Sequence, residues 1–182
     1  MDMEEHHLNL LFSRDEIASI VKDLADRISS DYGRGDLVLI GVLKGAFMFL
    51  SDLIRSLRIP AQVDFVRLAS YGSEMTSSGM IEITKDVEIP LREKDVLIIE
   101  DIVDSGRTLQ FLKDRLSLSS PRSVRICALL NKPARREVEI KVDYIGKEID
   151  NVFVVGYGID FREAYRNLPE IYYVTPVDHP KE

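Results

Sequence analysis

This sequence has few or none of three features: cysteines that could pair, histidines that could bind a metal, and apolar runs long enough to span a membrane. The single cysteine, Cys127, excludes an intrachain disulfide, and its place in an apolar run indicates a buried structural thiol. The three histidines, His6, His7 and His179, lie near the termini, which argues against a metal cluster built on histidine. No run approaches the ~18 apolar residues of a membrane span, and the acidic residues 1–5 do not follow the plan of a signal peptide. We therefore expect a cytoplasmic protein that does not enter a membrane.

An excess of positive charge is missing as well. The chain has 24 Lys and Arg against 31 Asp and Glu, which gives a net charge of −7. Because nucleic-acid binding needs a basic face, we expect no nucleic-acid partner, although local basic residues remain for a small anionic substrate. The 182 residues, of which 45% are hydrophobic, suffice for a single domain with a sizeable core.

Apolar strands alternate with amphipathic helices along the chain. Ser13 and Glu16 have the spacing of a capping box, and apolar residues then recur at helical spacing as far as Ile28. Two more helices are predicted, one over 47–57 and one containing Leu109, Leu112 and Leu116. This alternation favours an α/β protein with a mostly parallel central sheet. The predicted strands are 37–43, 62–69, 80–87, 96–99, 123–130, 144–149, 151–157 and 171–174, and a loose tail is predicted over 176–182.

Residues 96–108 combine an apolar strand with two kinds of polar group. Glu100 and Asp101 follow the apolar run 96–99 directly. Because ionised carboxylates are costly to bury, we expect both where the strand leaves the core, at the carboxyl edge of the sheet where ligands bind. The turn 104–108 then opens a helix, and its backbone N–H groups and small hydroxyls suit a phosphate. The plain alternative is a buried strand, a turn and a capped helix.

Four further polar segments each have a plain interpretation and a functional one. The pair Lys44-Gly45 is either an ordinary turn or a loop that offers N–H groups to an anion. The Ser-, Gly- and Thr-rich residues 70–79 form either a hairpin tip or a lid that excludes water from the reactants. Lys132 and Arg166 are either solvated side chains or substrate ligands, and residues 134–137 are expected to be a surface loop.

The segment 100–106, Glu-Asp-Ile-Val-Asp-Ser-Gly, resembles the phosphoribosyl pyrophosphate (PRPP) signature of type I phosphoribosyltransferases, most closely that of the hypoxanthine-guanine branch. Ser105 stands where the family usually has threonine, which keeps the hydroxyl. Residues 43–46, Leu-Lys-Gly-Ala, are similar to the family's pyrophosphate loop, which has an unusual cis peptide before the lysine. Ala46 replaces the second glycine there and is expected still to donate its N–H. Residues 153–160 are similar to the family's Phe-Val-Val-Gly-Tyr-x-x-Asp, so the resemblance runs from Leu37 to roughly Ile171.

The resemblance implies a complete set of PRPP ligands. Glu100 and Asp101 would hold the ribose hydroxyls, directly or through Mg²⁺, the implied cofactor, and Asp160 would support a second Mg²⁺ through water. The 5′-phosphate would lie in the turn formed by Asp104, Ser105, Gly106, Arg107 and Thr108. The pyrophosphate ligands would be Lys44, Gly45 and Arg166, under a lid at about 70–80 that begins with Ser70 and Tyr71.

The resemblance also implies how the base is held. Lys132 would donate to the oxygen at C6 of a purine, Phe153 would stack on its ring, and the backbone of Val154 would bind its edge, with Asp160 nearby. Asp104 would accept the N7 proton as N9 attacks the ribose. On its own, the stretch 152–160 is also typical of a core strand, and we keep that interpretation for Val152 and Val155.

The sequence thus predicts a type I phosphoribosyltransferase fold in a single domain, 1–182, with a small hood from the C-terminal strands and the N-terminal segment as a further candidate. The predicted reaction joins PRPP and a 6-oxopurine to give IMP or GMP plus pyrophosphate. Two alternatives stay open: a PRPP-sensing regulator without catalysis, and a transferase for a different base. The resemblance further implies a homodimer or homotetramer.

Overall fold

The computed structural model describes residues 6–33, 35–71 and 80–176. Among these residues no helix is long and apolar enough to cross a membrane. The elements follow one another as β1 (His6–Phe12), α1 (Arg14–Asp31), β2 (Leu37–Leu43), α2 (Phe47–Ser56), β3 (Gln62–Tyr71), β4 (Met80–Lys85), β5 (Asp95–Val103), α3 (Arg107–Ser117), β6 (Ser123–Asn131), β7 (Tyr144–Glu148), β8 (Phe153–Val155) and β9 (Ile171–Pro176).

Six strands form the large sheet in the order β4-β3-β2-β5-β6-β7. Strands β3, β2, β5, β6 and β7 are parallel, and only β4 runs antiparallel at the edge. Strands β2 and β5 lie in the middle and are buried along nearly their whole length. This agrees with their unbroken apolar sequences, because a parallel sheet is covered on both faces. The predicted α/β class is therefore confirmed.

Side-chain alternation divides the core into two clusters, one on each face of the large sheet. Leu37 and Leu39 of β2 face α1 and α2, whereas Val38 and Ile40 face the opposite side, where α3 packs. Successive side chains in a strand point to opposite faces, so one apolar run supplies both clusters. Helix α1 begins as predicted, because Ser13 and Glu16 form a complete capping box.

A second sheet of three antiparallel strands has the order β1-β9-β8. The sequence did not predict a strand over residues 6–12, yet β1 pairs with β9, so that His6 lies opposite Pro176. Ile171 and Val154 from this sheet belong to the α1–α2 side of the core. The strands proposed for the hood therefore share their apolar contacts with the large sheet.

Two predicted segments fall partly outside the described residues. Ser70 and Tyr71 are the last residues of β3, whereas 72–79 are outside the described part, so the lid stays a prediction. The tail stays a prediction too, because 177–182 are outside as well. The residues 161–169, expected as a short helix or a turn, form turns.

A buried carboxylate on β3 fastens the segment that leads from β4 back to the central strand. Asp64 accepts backbone N–H groups from Phe65 at 2.7 Å, Glu88 at 2.6 Å and Ile89 at 2.9 Å. The ammonium of Lys85 lies 3.4 Å from the same carboxylate. Burial alone would raise the pKa of Asp64, but these N–H groups and Lys85 together lower it below its ordinary value.

We expect Asp64→Asn to destabilise the protein at neutral pH by about 1–3 kcal/mol, because an amide NH₂ would face backbone donors. The lowered pKa of Asp64 stabilises the fold above its ordinary pKa, and this contribution is lost as the pH falls through the folded-state value. The difference between wild type and variant should therefore shrink on acidification. Urea unfolding at several pH values measures it, with exposed Asp23→Asn as the control. A difference that stays constant with pH would contradict this account.

Candidate active site

Three loops that carry predicted site residues leave neighbouring strands at one edge of the large sheet. Strand β2 ends at Leu43, β5 at Val103 and β6 at Asn131, and β5 lies between the other two. Val103 is paired directly with Asn131. The next residues along the chain are Lys44, Asp104 and Lys132. Parallel pairing therefore brings together three polar loops that are far apart in sequence, at the carboxyl edge where α/β proteins bind ligands.

The acid pair lies deeper than the sequence suggested. Strand β5 continues to Val103, so Glu100 and Asp101 are inside the strand and only 8% and 9% exposed. The expectation that they lie where the strand leaves the core is wrong, because the central position of β5 keeps it paired past the acids. Glu100 accepts the N–H of Asp101 at 3.2 Å, and Asp101 accepts that of Ile102 at 2.9 Å. Burial and the neighbouring Asp101 raise the pKa of Glu100 well above its ordinary value.

The loop after β2 packs its backbone onto this acid pair. A Cβ atom on Gly45 would lie 1.8 Å from Oδ2 of Asp101, so any side chain there would have to displace that carboxylate. The Leu43–Lys44 peptide bond is cis, as in the family's loop. Ala46 has φ −76°, which any residue adopts, but its N–H donates to the carbonyl of Val42 at 3.2 Å. The expectation that the Ala46 N–H is available to an anion is therefore wrong for this conformation.

The turn 104–108 connects β5 to α3 as predicted. Helix α3 begins at Arg107, and Gly106 precedes it in the left-handed conformation at φ 85°. The Ser105 hydroxyl accepts the N–H of Arg107 at 3.4 Å. A cavity of about 160 Å³ opens beside this turn, and a phosphate there would meet N–H groups at the positive end of the helix dipole. The cavity is lined by Glu100, Ile102, Val103, Asp104, Ser105, Gly106, Thr108 and Leu109.

A segment expected to be a plain surface loop is in fact fastened to this turn. Nε of Arg135 lies 3.0 Å from Oδ1 of Asp104, but not in hydrogen-bonding geometry. This buried oxygen therefore accepts no hydrogen bond among the described residues. The Glu137 N–H donates to the carbonyl of Ser105 at 3.0 Å, and its carboxylate accepts from Arg107 at 2.6 Å. Arg135 and Glu137 are exposed, as expected. The charged run Arg-Arg-Glu was the only feature of the sequence that could have indicated these contacts. A solvated loop has the same kind of sequence, so the contacts were not predicted.

Lys132 is buried, which excludes the solvated alternative. Lys132 is only 7% exposed, and its backbone N–H donates to the carbonyl of Val103 at 2.9 Å. Burial lowers the pKa of Lys132, the Asp104 carboxylate opposes that shift, and Arg135 adds to it. A partly desolvated ammonium beside Asp104 is well suited to donate to a neutral oxygen of a ligand.

Phe153 presents an aromatic surface from the second sheet. This residue is 48% exposed, and its ring meets that of Phe161 edge-on, with the centroids 5.4 Å apart. Val154, the next residue, is buried in the core. One cavity of about 460 Å³ is lined by both Pro133, which follows Lys132, and Val152, which precedes Phe153. The lysine loop and the residue before Phe153 thus border the same cavity, and the exposed ring of Phe153 has the kind of surface on which a flat ligand can stack.

The turns after β8 carry a network of charges onto the Lys44 loop. Arg166 donates to the carbonyl of Gly158 at 2.8 Å and pairs with Asp160 at 2.8 Å. Glu163 pairs with Lys44 at 2.9 Å. These contacts place Asp160 and Arg166 beside the predicted pyrophosphate loop. Glu163, like Arg135, was not singled out from the sequence, because its partner is 119 residues away.

Three comparisons with known proteins agree on one family. A model of the phosphoribosyl transferase domain matches residues 11–162. The hypoxanthine phosphoribosyltransferase of Escherichia coli K12 is 44% identical over 176 residues, covering 96% of this chain and 99% of that protein. The structure of a hypoxanthine phosphoribosyltransferase from Staphylococcus aureus has a TM-score of 0.89 at 42% identity and covers 92% of this chain and 91% of its own. The structure of a hypoxanthine-guanine phosphoribosyltransferase from Bacillus anthracis has a TM-score of 0.88 at 41% identity. It covers 92% of this chain and 98% of its own.

We expect Gly45→Ala to destabilise the protein by about 1–3 kcal/mol, because the added methyl group would overlap the Asp101 carboxylate. Gly33→Ala is the matched control, since a Cβ there would meet nothing within 4 Å; it should change the free energy of unfolding by less than about 0.5 kcal/mol. Denaturant unfolding of both variants measures the difference. Equal effects at the two positions would show that the Gly45 loop does not pack on Asp101.

Proposed function

This chain belongs to the phosphoribosyltransferase family, and from that premise we propose that it is a hypoxanthine phosphoribosyltransferase of purine salvage. The reaction transfers the 5-phosphoribosyl group of PRPP to N9 of a 6-oxopurine, hypoxanthine, guanine or xanthine, and releases pyrophosphate. The observation that carries the proposal is that the turn 104–108, the buried acid pair near the end of β5 and the buried Lys132 just after β6 belong to adjacent strands.

The PRPP molecule is proposed to span the edge from α3 to the Lys44 loop. The turn from Asp104 to Thr108 would bind the 5′-phosphate with its N–H groups and hydroxyls, in the cavity beside it. Glu100 and Asp101 would hold the ribose hydroxyls. Lys44, Gly45 and Arg166 would bind pyrophosphate. The Nε–H of Arg166 supports this assignment, because it is buried and has no acceptor among the described residues.

The base is proposed to lie between Phe153 and the Lys132 loop. Stacking on the exposed ring of Phe153 binds a flat heterocycle without requiring charge. The Lys132 ammonium would donate to the oxygen at C6, and the backbone of Val154 would bind the opposite edge. Adenine has an amino group at C6, so a lysine donor would face a donor there. This geometry therefore favours a 6-oxopurine.

Asp104 is proposed as the general base. As the bond from C1′ to the pyrophosphate oxygen breaks, N9 of the purine forms the new bond to C1′, and the proton on N7 passes to Asp104. The pyrophosphate leaves with the electron pair of the broken bond. The buried Oδ1 of Asp104 supports this role, because it accepts no hydrogen bond within the described part of the chain.

Magnesium is the proposed cofactor. When bound, Mg²⁺ would offset the negative charge that develops on the departing pyrophosphate. The residues fit such an ion, since Glu100 and Asp101 are adjoining buried carboxylates, and burial, together with the proximity of Asp101, disfavours the charge on Glu100. Within residues 6–33, 35–71 and 80–176 no group of three or more His, Cys, Asp or Glu could hold a metal alone. This agrees with a preference of Mg²⁺ for one or two carboxylates completed by substrate phosphates. Asp160 would assist through water.

Assembly and location complete the proposal. A homodimer or homotetramer is supported by exposed apolar side chains on the edge strand β1, where Leu10 is 56% exposed and Leu8 is exposed as well. The cytoplasm is supported by the lone buried thiol of Cys127, which requires no oxidising compartment.

An assay with radiolabelled hypoxanthine, guanine, xanthine, adenine or uracil, each with PRPP and Mg²⁺, tests the function directly. We expect nucleotide from the 6-oxopurines alone and only with PRPP present. PRPP binding without turnover of any base would favour the regulator. Preferential use of adenine or uracil would favour a transferase for a different base.

We expect Asp104→Asn to lower kcat by roughly 10²–10⁴-fold while the affinity for PRPP changes much less, because an amide cannot accept the proton. Steady-state kinetics together with PRPP binding by calorimetry separate the two effects. Asp114→Asn on the exposed side of α3 is the control and should leave both unchanged. An unaltered kcat in Asp104→Asn would refute the assignment of the base.

We expect Lys132→Ala mainly to raise the KM for the base, because the variant loses the donor to the C6 oxygen. A charge-assisted hydrogen bond of about 1.5–3 kcal/mol corresponds to a rise of roughly 10–100-fold. The exposed Lys141→Ala serves as the control. A normal KM for the base combined with a raised KM for PRPP would put Lys132 in the other half of the site.

A further inference from the structure

One carboxylate oxygen contacts two of the cations that are proposed to bind pyrophosphate. Oε2 of Glu163 lies 2.9 Å from Nζ of Lys44 and 3.3 Å from a terminal nitrogen of Arg166. Lys44 belongs to the loop after β2, and Arg166 belongs to the turns after β8. Glu163 thus occupies the position between them that an anionic oxygen of a ligand would take.

The backbone holds this carboxylate in place. The Glu163 N–H donates to Oδ2 of Asp160 at 2.8 Å. Glu163 has φ 66° and the preceding Arg162 has φ 51°, a left-handed conformation that is uncommon for residues other than glycine. Such conformations persist where surrounding contacts impose them, and they cluster at functional sites. The turn is therefore shaped to present the Glu163 side chain to the two cations.

The two loops also touch through their backbones. A Cβ on Gly158 would lie 2.4 Å from the carbonyl oxygen of Gly45. The ion pair of Lys44 with Glu163 spans this contact, so Lys44 has a fixed partner without any substrate. Glu163 itself is largely exposed, and its carboxylate can swing into solvent without breaking the core.

We propose that Glu163 is a positioning residue that stands in for pyrophosphate: its carboxylate holds Lys44 and Arg166 together in the free site and is displaced when the pyrophosphate group enters. The inference rests on the proposed function, because it takes Lys44 and Arg166 as pyrophosphate ligands. A built-in competitor weakens the binding of pyrophosphate and thereby favours its release as a product.

Calorimetric titration of the protein with magnesium pyrophosphate tests this role. Because exposed ion pairs contribute little individually, Glu163→Gln should bind pyrophosphate about two- to fivefold more tightly than wild type. The inhibition constant of pyrophosphate in the transfer assay should fall by the same factor, whereas the KM for hypoxanthine should not move. Glu163→Asp keeps the negative charge and should return the affinity toward the wild-type value.

Glu88→Gln is the matched control, because Glu88 is exposed and pairs with Lys85 at 3.0 Å away from these loops. It removes the same charge and should leave pyrophosphate affinity unchanged. An equal gain in pyrophosphate affinity in Glu88→Gln and Glu163→Gln would show that the gain comes from net charge alone, and it would overturn the inference. Unchanged or weaker binding by Glu163→Gln, or no binding by wild type, would also overturn it. A wild type that binds pyrophosphate but transfers no base would instead refute the proposed function, since calorimetry needs no turnover.

Discussion

The site depends on the parallel pairing of β2, β5 and β6 through the middle of the large sheet. Their side chains are buried on both faces, and burial of apolar area at roughly 25 cal/mol per Å² is what makes this register the stable one. Because a one-residue slip would move each strand's side chains to the opposite face, the register is fixed. The three strand ends are fixed with it, and so are the loops that carry Lys44, Asp104 and Lys132.

Burial also explains the chemistry of the acid pair. The central position of β5 carries Glu100 and Asp101 inside the sheet, and the Gly45 loop packs against Asp101. Burial, together with the neighbouring Asp101, makes the charged form of Glu100 costly and raises its pKa. A ligand that supplies hydroxyl donors or a divalent cation relieves that cost. This is the physical reason for proposing that the acid pair binds sugar hydroxyls and Mg²⁺.

Opposite charges bridge the loops around this pair. Asp104 lies against Arg135, and Glu163 lies against Lys44. Each bridge joins a residue at a strand end of the large sheet to a residue from a segment farther along the chain. Exposed pairs of this kind contribute little to stability. Both bridges hold a basic side chain at a loop that is proposed to bind PRPP.

Local pattern by itself determined the helices, every described strand except β1, and the turn 104–108, because hydrophobic period, capping residues and the Asp-Ser-Gly turn depend on neighbours a few residues apart. The same residues also carry the family resemblance that the comparisons confirm. Only the tertiary structure decided that His6–Phe12, predicted only as a candidate part of the hood, form a strand, since their partner β9 lies at the far end of the chain. It alone extended β5 past its acids, buried Lys132, and paired Arg135 with Asp104 and Glu163 with Lys44. A charged side chain reads the same in sequence whether water or a residue more than a hundred positions away is its partner, so these facts required the fold.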